Sequence, residues 1–403
     1  MSRFTKQILK IQKTHISKLI TQYSELYTQN SILRTPMNIL FLTLVDINFI
    51  ADRGIYTDLL RYFASQGHSV TIVTPKERRY KTATNLREEK GVRILQVKTF
   101  NIQKTSFVEK GLGILAIEYQ YLAAIRKYLQ DTKFDLVLYS TPPITFGKVI
   151  KAIKNRDGAT SYLLLKDIFP QNAVDLGMIK RGGVLHRFFR HKERQLYRLS
   201  DYIGCMSPAN VAYVLAHNTE VEAERVEICP NSIEPDKAVH TNDNAWRRQY
   251  SIPEEATVFI YGGNLGKPQG LDFLTEVLAA NAGKKDRFFI VVGSGTERPR
   301  LEAWFAAQHP ENAVLLGALP KNEYDNLVRS CDVGLIFLDG RFTIPNYPSR
   351  LLSYMEYRMP VLIGSDRHTD IGTIAEANGY GLWAAHGDLD GFNKQLNVLC
   401  GNS

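Results

Sequence analysis

From Met37 onward, short apolar runs alternate with longer segments of helical spacing, and the alternation occurs twice along the chain. Runs of strand type at 38–44, Val70–Thr74 and Leu136–Tyr139 are separated by helical segments near 54–66, 109–129 and 146–155. Strands spaced by helices fold as right-handed βαβ units whose parallel sheet is covered on both faces. The rhythm breaks at Pro230-Asn231-Ser232 and runs through a polar stretch to Tyr250. It restarts with Thr257–Tyr261, Phe288–Val292, Val314–Leu316, Val333–Phe337 and Pro360–Ile363. The expected fold is therefore α/β, with two Rossmann-like doubly wound domains at 37–232 and 233–403, preceded by a basic extension at 1–36. Ligands of open parallel sheets lie beyond the carboxyl ends of the strands, so two such halves facing one another would share one interdomain cleft.

A chain of 403 residues exceeds what one core organises, which agrees with two domains. Its formal charge of +9 suits a polyanionic partner: nucleic acid, an anionic bilayer or a phosphate-bearing substrate. Without zinc-finger spacing, or a basic region followed by heptads, nucleic acid is the weakest of these, and none is expected as a partner. Cys205, Cys229, Cys331 and Cys400 lie far apart and form no metal-ligand pattern, which points to a reducing compartment. No apolar run reaches the ~20 residues that span a bilayer, and the N-terminus lacks the apolar core of a secretory signal. The expected location is cytoplasmic, or peripheral on the inner face of the plasma membrane. Residues 1–36 read either as an amphipathic surface helix, from Ile8, Leu9, Ile11, Ile16, Leu19 and Ile20, or as a dispensable extension upstream of Met37.

Two segments are suited to chemistry. The first runs from Phe259 through Gly262-Gly263-Asn264-Leu265-Gly266-Lys267-Pro268-Gln269-Gly270, a strand ending in a glycine-rich turn that opens a helix. Glycines admit a ligand close to the backbone, helix-start N–H groups favour anions, and Lys267 adds a full charge, so a diphosphate suits this turn. A tight βα turn that needs glycine only for its dihedrals is the competing reading. The second is Thr343-Ile344-Pro345-Asn346-Tyr347-Pro348-Ser349-Arg350-Leu351-Leu352-Ser353, where Ser349 is expected to cap a helix and Arg350 to grip a phosphate or carboxylate. Here the alternative is an ordinary capped helix with a solvated arginine.

Further motifs follow in a fixed order: Gly67-His68-Ser69-Val70, Asp167-Ile168-Phe169-Pro170, Ser207-Pro208, Pro230-Asn231-Ser232-Ile233, the Gly262–Gly270 turn, Gly293-Ser294-Gly295, Leu316-Gly317 and Tyr347-Pro348-Ser349-Arg350. Together, from Met37 to about Leu382, they resemble the family 4 retaining glycosyltransferases of the GT-B fold. Within these the chain is similar to the bacterial subgroup of fucosamine-transferase-like enzymes of surface-polysaccharide assembly, of capsule and O-antigen type. The resemblance implies that the C-terminal half binds a nucleotide sugar, by family habit UDP-linked and carrying an amino or N-acetylated sugar. The Gly262–Gly270 turn, with Gly262, Gly263, Asn264 and Gln269, and the Ser349 helix start would embrace the diphosphate. Gly293, Gly295 and Gly317 would border the base, and Lys267 and Arg350 become the cationic candidates. The N-terminal half would take a polyprenyl-linked or saccharide acceptor, with Asp167 near the reacting sugar; a plain turn or helix cap is the other role open to Asp167. The leaving diphosphate would be met by preorganised electrostatics, with no metal or other cofactor required.

Departures from the family pattern matter too. Where much of the family carries two glutamates eight positions apart, this chain has Pro345 and Ser353, so ribose recognition is expected to fall to Ser353 or Tyr347. Asp388-Leu389-Asp390 reads as an acidic helix start and not as a metal motif. The family normally ends in a long helix that crosses back to the first domain; no such helix is expected after Gly391, and the N-terminal extension is the candidate to brace the cleft instead. Basic and apolar residues interleave at 180–198, and 108–128 is a second apolar stretch, so peripheral contact with an anionic membrane is expected through both. A nucleotide-sugar 2-epimerase of the same fold, or a catalytically weak donor-binding subunit, are the competing functions.

Overall fold

The computed structural model describes residues 35–102, 107–235 and 245–401. The expectations for the N-terminal extension fall outside the described residues. The chain divides into two compact units between Glu234 and Pro235.

The N-terminal unit holds one sheet of eight strands in the order β3-β4-β2-β1-β5-β6-β7-β8. These are β1 Asn38–Leu42, β2 Ser69–Glu77, β3 Asn85–Glu89, β4 Val92–Thr99, β5 Leu136–Ser140, β6 Thr160–Leu165, β7 Tyr202–Cys205 and β8 Val226–Ile228. Neighbours pair in parallel, Ile39 standing beside both Val70 and Leu136, except that β3 runs antiparallel to β4. The β3–β4 hairpin departs from a strict βαβ alternation. Its outer strand, Asn-Leu-Arg-Glu-Glu, is too polar to read as a buried strand, and such charges suit a sheet edge that must not recruit another strand.

The C-terminal unit holds six parallel strands in the order β11-β10-β9-β12-β13-β14: β9 Thr257–Asn264, β10 Arg287–Ser294, β11 Ala313–Leu316, β12 Val333–Phe337, β13 Val361–Ser365 and β14 Gly381–Ala385. Successive residues of β9 enter opposite cores, Val258 and Ile260 on one face, Phe259 and Tyr261 on the other. Burial on both faces is why the sequence there is continuously apolar instead of alternating. The chain winds outward from β9 to β11 and returns at β12, so the sheet changes direction between β9 and β12. That switch point opens a crevice beyond the strand ends, where ligands of such sheets bind.

Two long helices carry the apolar surfaces expected from sequence, and they differ in how much of them the core takes. In the helix Phe107–Tyr128, Ile117, Tyr121 and Ile125 are fully buried, and the Tyr121 hydroxyl donates to the Thr43 carbonyl at 2.8 Å. These three residues of the apolar stripe are core, because its spacing serves the sheet first; Ile114 and Leu122 are partly buried, and Leu115 and Tyr119 remain exposed. In the helix Val184–Leu199, Leu196 and Tyr197 enter the core, whereas Val184 is 79%, Leu185 51% and Phe188 38% exposed.

The C-terminal core has no slack at β12. The Tyr354 ring lies against Gly334, and its hydroxyl reaches the carbonyls of Ile260 at 3.1 Å and Leu335 at 3.3 Å. A Cβ on Gly334 would collide with that ring. Gly334→Ala is therefore expected to cost about 1–3 kcal/mol through overpacking. Calorimetry of the full chain should show the C-terminal unit's transition falling while that of the N-terminal unit holds; an unmoved C-terminal transition would contradict this packing.

Candidate functional site

Glycines dominate the carboxyl ends of β9 and β10 because the two backbones nearly touch there. Gly263 (φ +119°) and Gly293 (φ +149°) are paired in register, and a Cβ on Gly293 would fall on the Gly263 carbonyl. Gly295 meets the Leu265 backbone in the same way. Gly262 is a packing residue, its α-carbon covered by the Tyr324 ring. The strand extends to Asn264, beyond the Tyr261 limit read from sequence, and the turn proper is a short 3-10 segment at Lys267–Gln269. Gly270 then takes the left-handed conformation (φ +55°) and starts the helix Leu271–Ala280 with its α-carbon against His386. Asn264 and Lys267 are exposed, and among the described residues the Lys267 ammonium has no acidic partner.

Arg350 begins the short helix Arg350–Glu356 and reaches back to this turn. Its Nη2 donates to Gln269 Oε1 at 2.7 Å, and its Cζ lies 4.3 Å from the centre of the Tyr261 ring. The Tyr261 hydroxyl also donates to Gln269 Oε1, at 3.2 Å. Gln269 is only 8% exposed, so it acts on the guanidinium and does not itself face outward. Arg350 Nη1 is buried without a hydrogen-bond partner, a state that costs ~1–3 kcal/mol until an acceptor arrives. The open α-face of Gly263 lies beside the same guanidinium, 3.9 Å from Nη2 to a Cβ placed there. Gly263, Gln269 and Arg350 thus come together, with Gly293 and Gly295 on the adjoining strand end and Lys267 on the turn. Tyr261, which sequence reasoning passed over, holds the cation in place.

The other expected residues are placed differently. Ser349 does not cap the helix: it is already in the right-handed helical conformation (φ −65°, ψ −16°), and its side chain makes no capping hydrogen bond. Among the described residues, Leu351 and Leu352 N–H donate to Pro348 and Ser349, while no acceptor within the chain meets the amides of Ser349 and Arg350. Tyr347 is packed on the same core as Tyr380. Ser353 is half-buried on the Arg350 helix. Gly317 follows β11 in open space, and Arg298 ties the strand ends beside it, donating to the carbonyls of Gly293 at 2.8 Å and Leu316 at 2.7 Å. Asp388 accepts from Gly391 N–H at 2.9 Å and caps the final helix, the role expected of it.

At the β12 end sequence reasoning missed Asp339. Its N–H donates to the Pro268 carbonyl at 3.1 Å, stitching β12 to the turn. Burial pushes the Asp339 carboxyl up, but the Arg341 guanidinium at 2.7 Å outweighs it and holds the group below the usual carboxylate range. His386, 5.0 Å from the Phe273 ring, lies under Gly270 with Nδ1 buried and unpartnered.

Asp167 belongs to the N-terminal unit, just past β6. Its carboxylate accepts from Asn172 Nδ2 at 2.7 Å, and its N–H donates to Thr141 Oγ1 at 3.3 Å. Part of the residue stays accessible, yet burial of the carboxyl pushes its pKa up to about 6, against the opposing hydrogen bonds from Asn172 and Ile168. The same unit carries a basic pocket of about 220 Å³ lined by His186, Arg187, Arg190, His191, Arg194 and Arg198. Arg190 is paired with Glu193 at 2.6 Å and Arg194 with Glu220 at 2.5 Å.

Comparison with known proteins gives the family of the two units. Residues 55–237 match the model of Glycosyltransferase Family 4, and residues 242–402 that of Glycosyl transferases group 1. The chain is 23% identical over 343 residues to the Escherichia coli (strain K12) protein named as the colanic acid biosynthesis glycosyl transferase WcaI, covering 80% of this chain and 82% of that protein. Among solved structures it is similar to WaaG, a glycosyltransferase involved in lipopolysaccharide biosynthesis, with a TM-score of 0.63 at 17% identity over 90% of both chains. It is also similar to HepE of Anabaena in complex with UDP and glucose, with a TM-score of 0.62 at 14% identity over 90% of this chain and 89% of that one. With both halves matched in order on two parallel-sheet units, the chain is a glycosyltransferase of the GT-B fold, a Glycosyltransferase Family 4 domain followed by a Glycosyl transferases group 1 domain.

Proposed function

We propose that this glycosyltransferase moves a sugar from a UDP-linked donor to a saccharide or polyprenyl-linked acceptor in bacterial surface-polysaccharide assembly, with retention at the anomeric carbon. The observation that carries the reading is the pinned Arg350 guanidinium, with one unpartnered nitrogen, beside the bare backbone of Gly263. HepE, of the same fold, was solved with UDP and glucose, and WaaG and WcaI are named for lipopolysaccharide and colanic acid biosynthesis. Substitution at the anomeric carbon leaves negative charge on the departing diphosphate. Arg350, Lys267 and the amides of Ser349 and Arg350 would take up that charge without having to reorganise, because Gln269 and Tyr261 already fix the guanidinium. The arrangement calls for no metal. Asp167, with its raised pKa, would orient or deprotonate the acceptor hydroxyl.

We also infer that the Val184–Leu199 helix rests on an anionic bilayer. Val184, Leu185 and Phe188 are exposed at its start, and the Arg/His pocket lies along it. Co-sedimentation with phosphatidylglycerol vesicles should weaken for Arg187→Glu and for Phe188→Glu at ~0.15 M salt, where screening is moderate. Equal sedimentation of both variants would remove the membrane reading.

Arg350→Ala is expected to weaken UDP binding by about 10- to 100-fold, the scale of a hydrogen-bonded charge. Lys267→Ala should weaken it by about 2- to 5-fold, since Lys267 is exposed. Calorimetry with unchanged circular dichroism is the check, and unaltered affinity in both would contradict the diphosphate placement. Acceptor-dependent transfer from labelled UDP- and GDP-sugars supports the enzyme reading, whereas isomerisation without acceptor or binding without turnover would replace it.

Asp167 also makes the stability of its unit depend on pH. Its folded pKa lies above the ordinary 3.8, so the folded state takes up a proton that the unfolded chain does not between those values. The group therefore costs stability increasingly as pH rises from the ordinary 3.8 to about 6, and the cost levels off above that. Asp167→Asn should raise the melting temperature at pH 7 while removing the acidic limb of the pH–rate profile, centred near 6 in the parent enzyme. A variant that keeps both the limb and the rate would leave Asp167 only a turn residue.

A further inference from the structure

The loops after β1, β2 and β4 present three exposed aromatic residues, Phe49, Tyr80 and Phe100, at 57%, 55% and 40% exposure. Each ring faces a cation. Arg87 Cζ is 5.5 Å from the Phe49 centroid, Lys76 Nζ 4.8 Å from that of Tyr80, and Arg78 Cζ 5.5 Å from that of Phe100. Hydrogen bonds join the loops into one surface. Lys76 Nζ donates to Asn48 Oδ1 at 2.6 Å, next to Phe49, and Arg79 N–H to Asn101 Oδ1 at 3.2 Å, next to Phe100. Single exposed aromatics are ordinary, but a contiguous set, each beside a fixed cation, is a recognition surface.

Charge and layout narrow the occupant. The run Lys76-Glu77-Arg78-Arg79-Tyr80-Lys81 is strongly basic, and its one carboxylate, Glu77, is paired with Arg79. Asp46 and Glu89 are paired with Lys76 at 3.0 Å and Arg87 at 3.2 Å. Rings and cations interleave here, whereas a bilayer calls for an apolar layer below a charged one. The interspersed carboxylates would repel a continuous polyphosphate backbone, but they leave room for isolated negative charges. Aromatic rings stack on the C–H faces of sugars, and guanidinium groups take a carboxylate or phosphate in fixed geometry.

We propose that this surface binds an anionic saccharide, carrying carboxylate or phosphate groups, as the acceptor on which the transferase acts. The proposal rests on the transferase reading above. The test uses the full chain on an array of glucuronate-containing tetrasaccharides beside their carboxyl-reduced neutral counterparts, with phosphatidylglycerol vesicles and a single-stranded oligonucleotide as further probes. The acidic sugars should bind about 5-fold more tightly than the reduced ones, the scale of one exposed ion pair. Tyr80→Ala and Phe100→Ala should weaken both kinds, while Arg78→Gln should remove the preference and keep neutral binding. Equal binding of acidic and neutral sugars, or binding only to vesicles or the oligonucleotide, overturns the proposal. UDP calorimetry on the same preparations separates the two claims: intact UDP affinity with no acidic preference sinks this inference alone, and absent UDP affinity sinks the transferase reading.

Discussion

The contact between Arg350 and the Gln269–Tyr261 pair is the constraint on which the chemistry proposed for the C-terminal unit depends. A free arginine loses rotamer entropy when it binds an anion; here that entropy has been lost on folding, because Gln269 fixes one nitrogen and the Tyr261 ring fixes the plane. The cation is brought from the start of one helix to the carboxyl end of β9, the strand at which the sheet reverses its winding. A preset charge at a switch point is what a leaving diphosphate needs, since no reorganisation remains for the moment of reaction.

The glycine cluster follows from the same geometry. β9 and β10 approach so closely at Gly263 and Gly293 that a side chain on Gly293 would meet backbone. Arg298 and Asp339 then tie the neighbouring strand ends to that rim through backbone carbonyls. The result is a rim of bare backbone and few flexible side chains, with Lys267 the exposed cation on its turn.

The alternation of buried strands with helices was legible in the sequence because β9, β12 and β13 are buried on both faces and read as continuous apolar runs. The β3–β4 hairpin was not, since its edge strand has no apolar face to announce it. The glycine turn was legible as a cluster, but sequence could not say that Gly262 is covered by Tyr324, a contact across 62 positions. Arg350 stood out as a residue type, while its partners lie 81 and 89 positions away and left no local signal. The expected cap at Ser349 failed for a local reason: the helical conformation begins one residue early, so its hydroxyl cannot turn back to the first amides. Likewise, much of the apolar stripe of the Phe107–Tyr128 helix looked like surface only because the sheet it covers is distant in sequence.

A crystal structure of the full chain with UDP tests the central claim most directly. A diphosphate oxygen is expected within about 3 Å of Arg350 Nη1, alongside the Gly263 backbone, with the Gln269 contact retained. UDP bound away from this rim, or a diphosphate beside it while Arg350 stays turned to protein atoms alone, would contradict it.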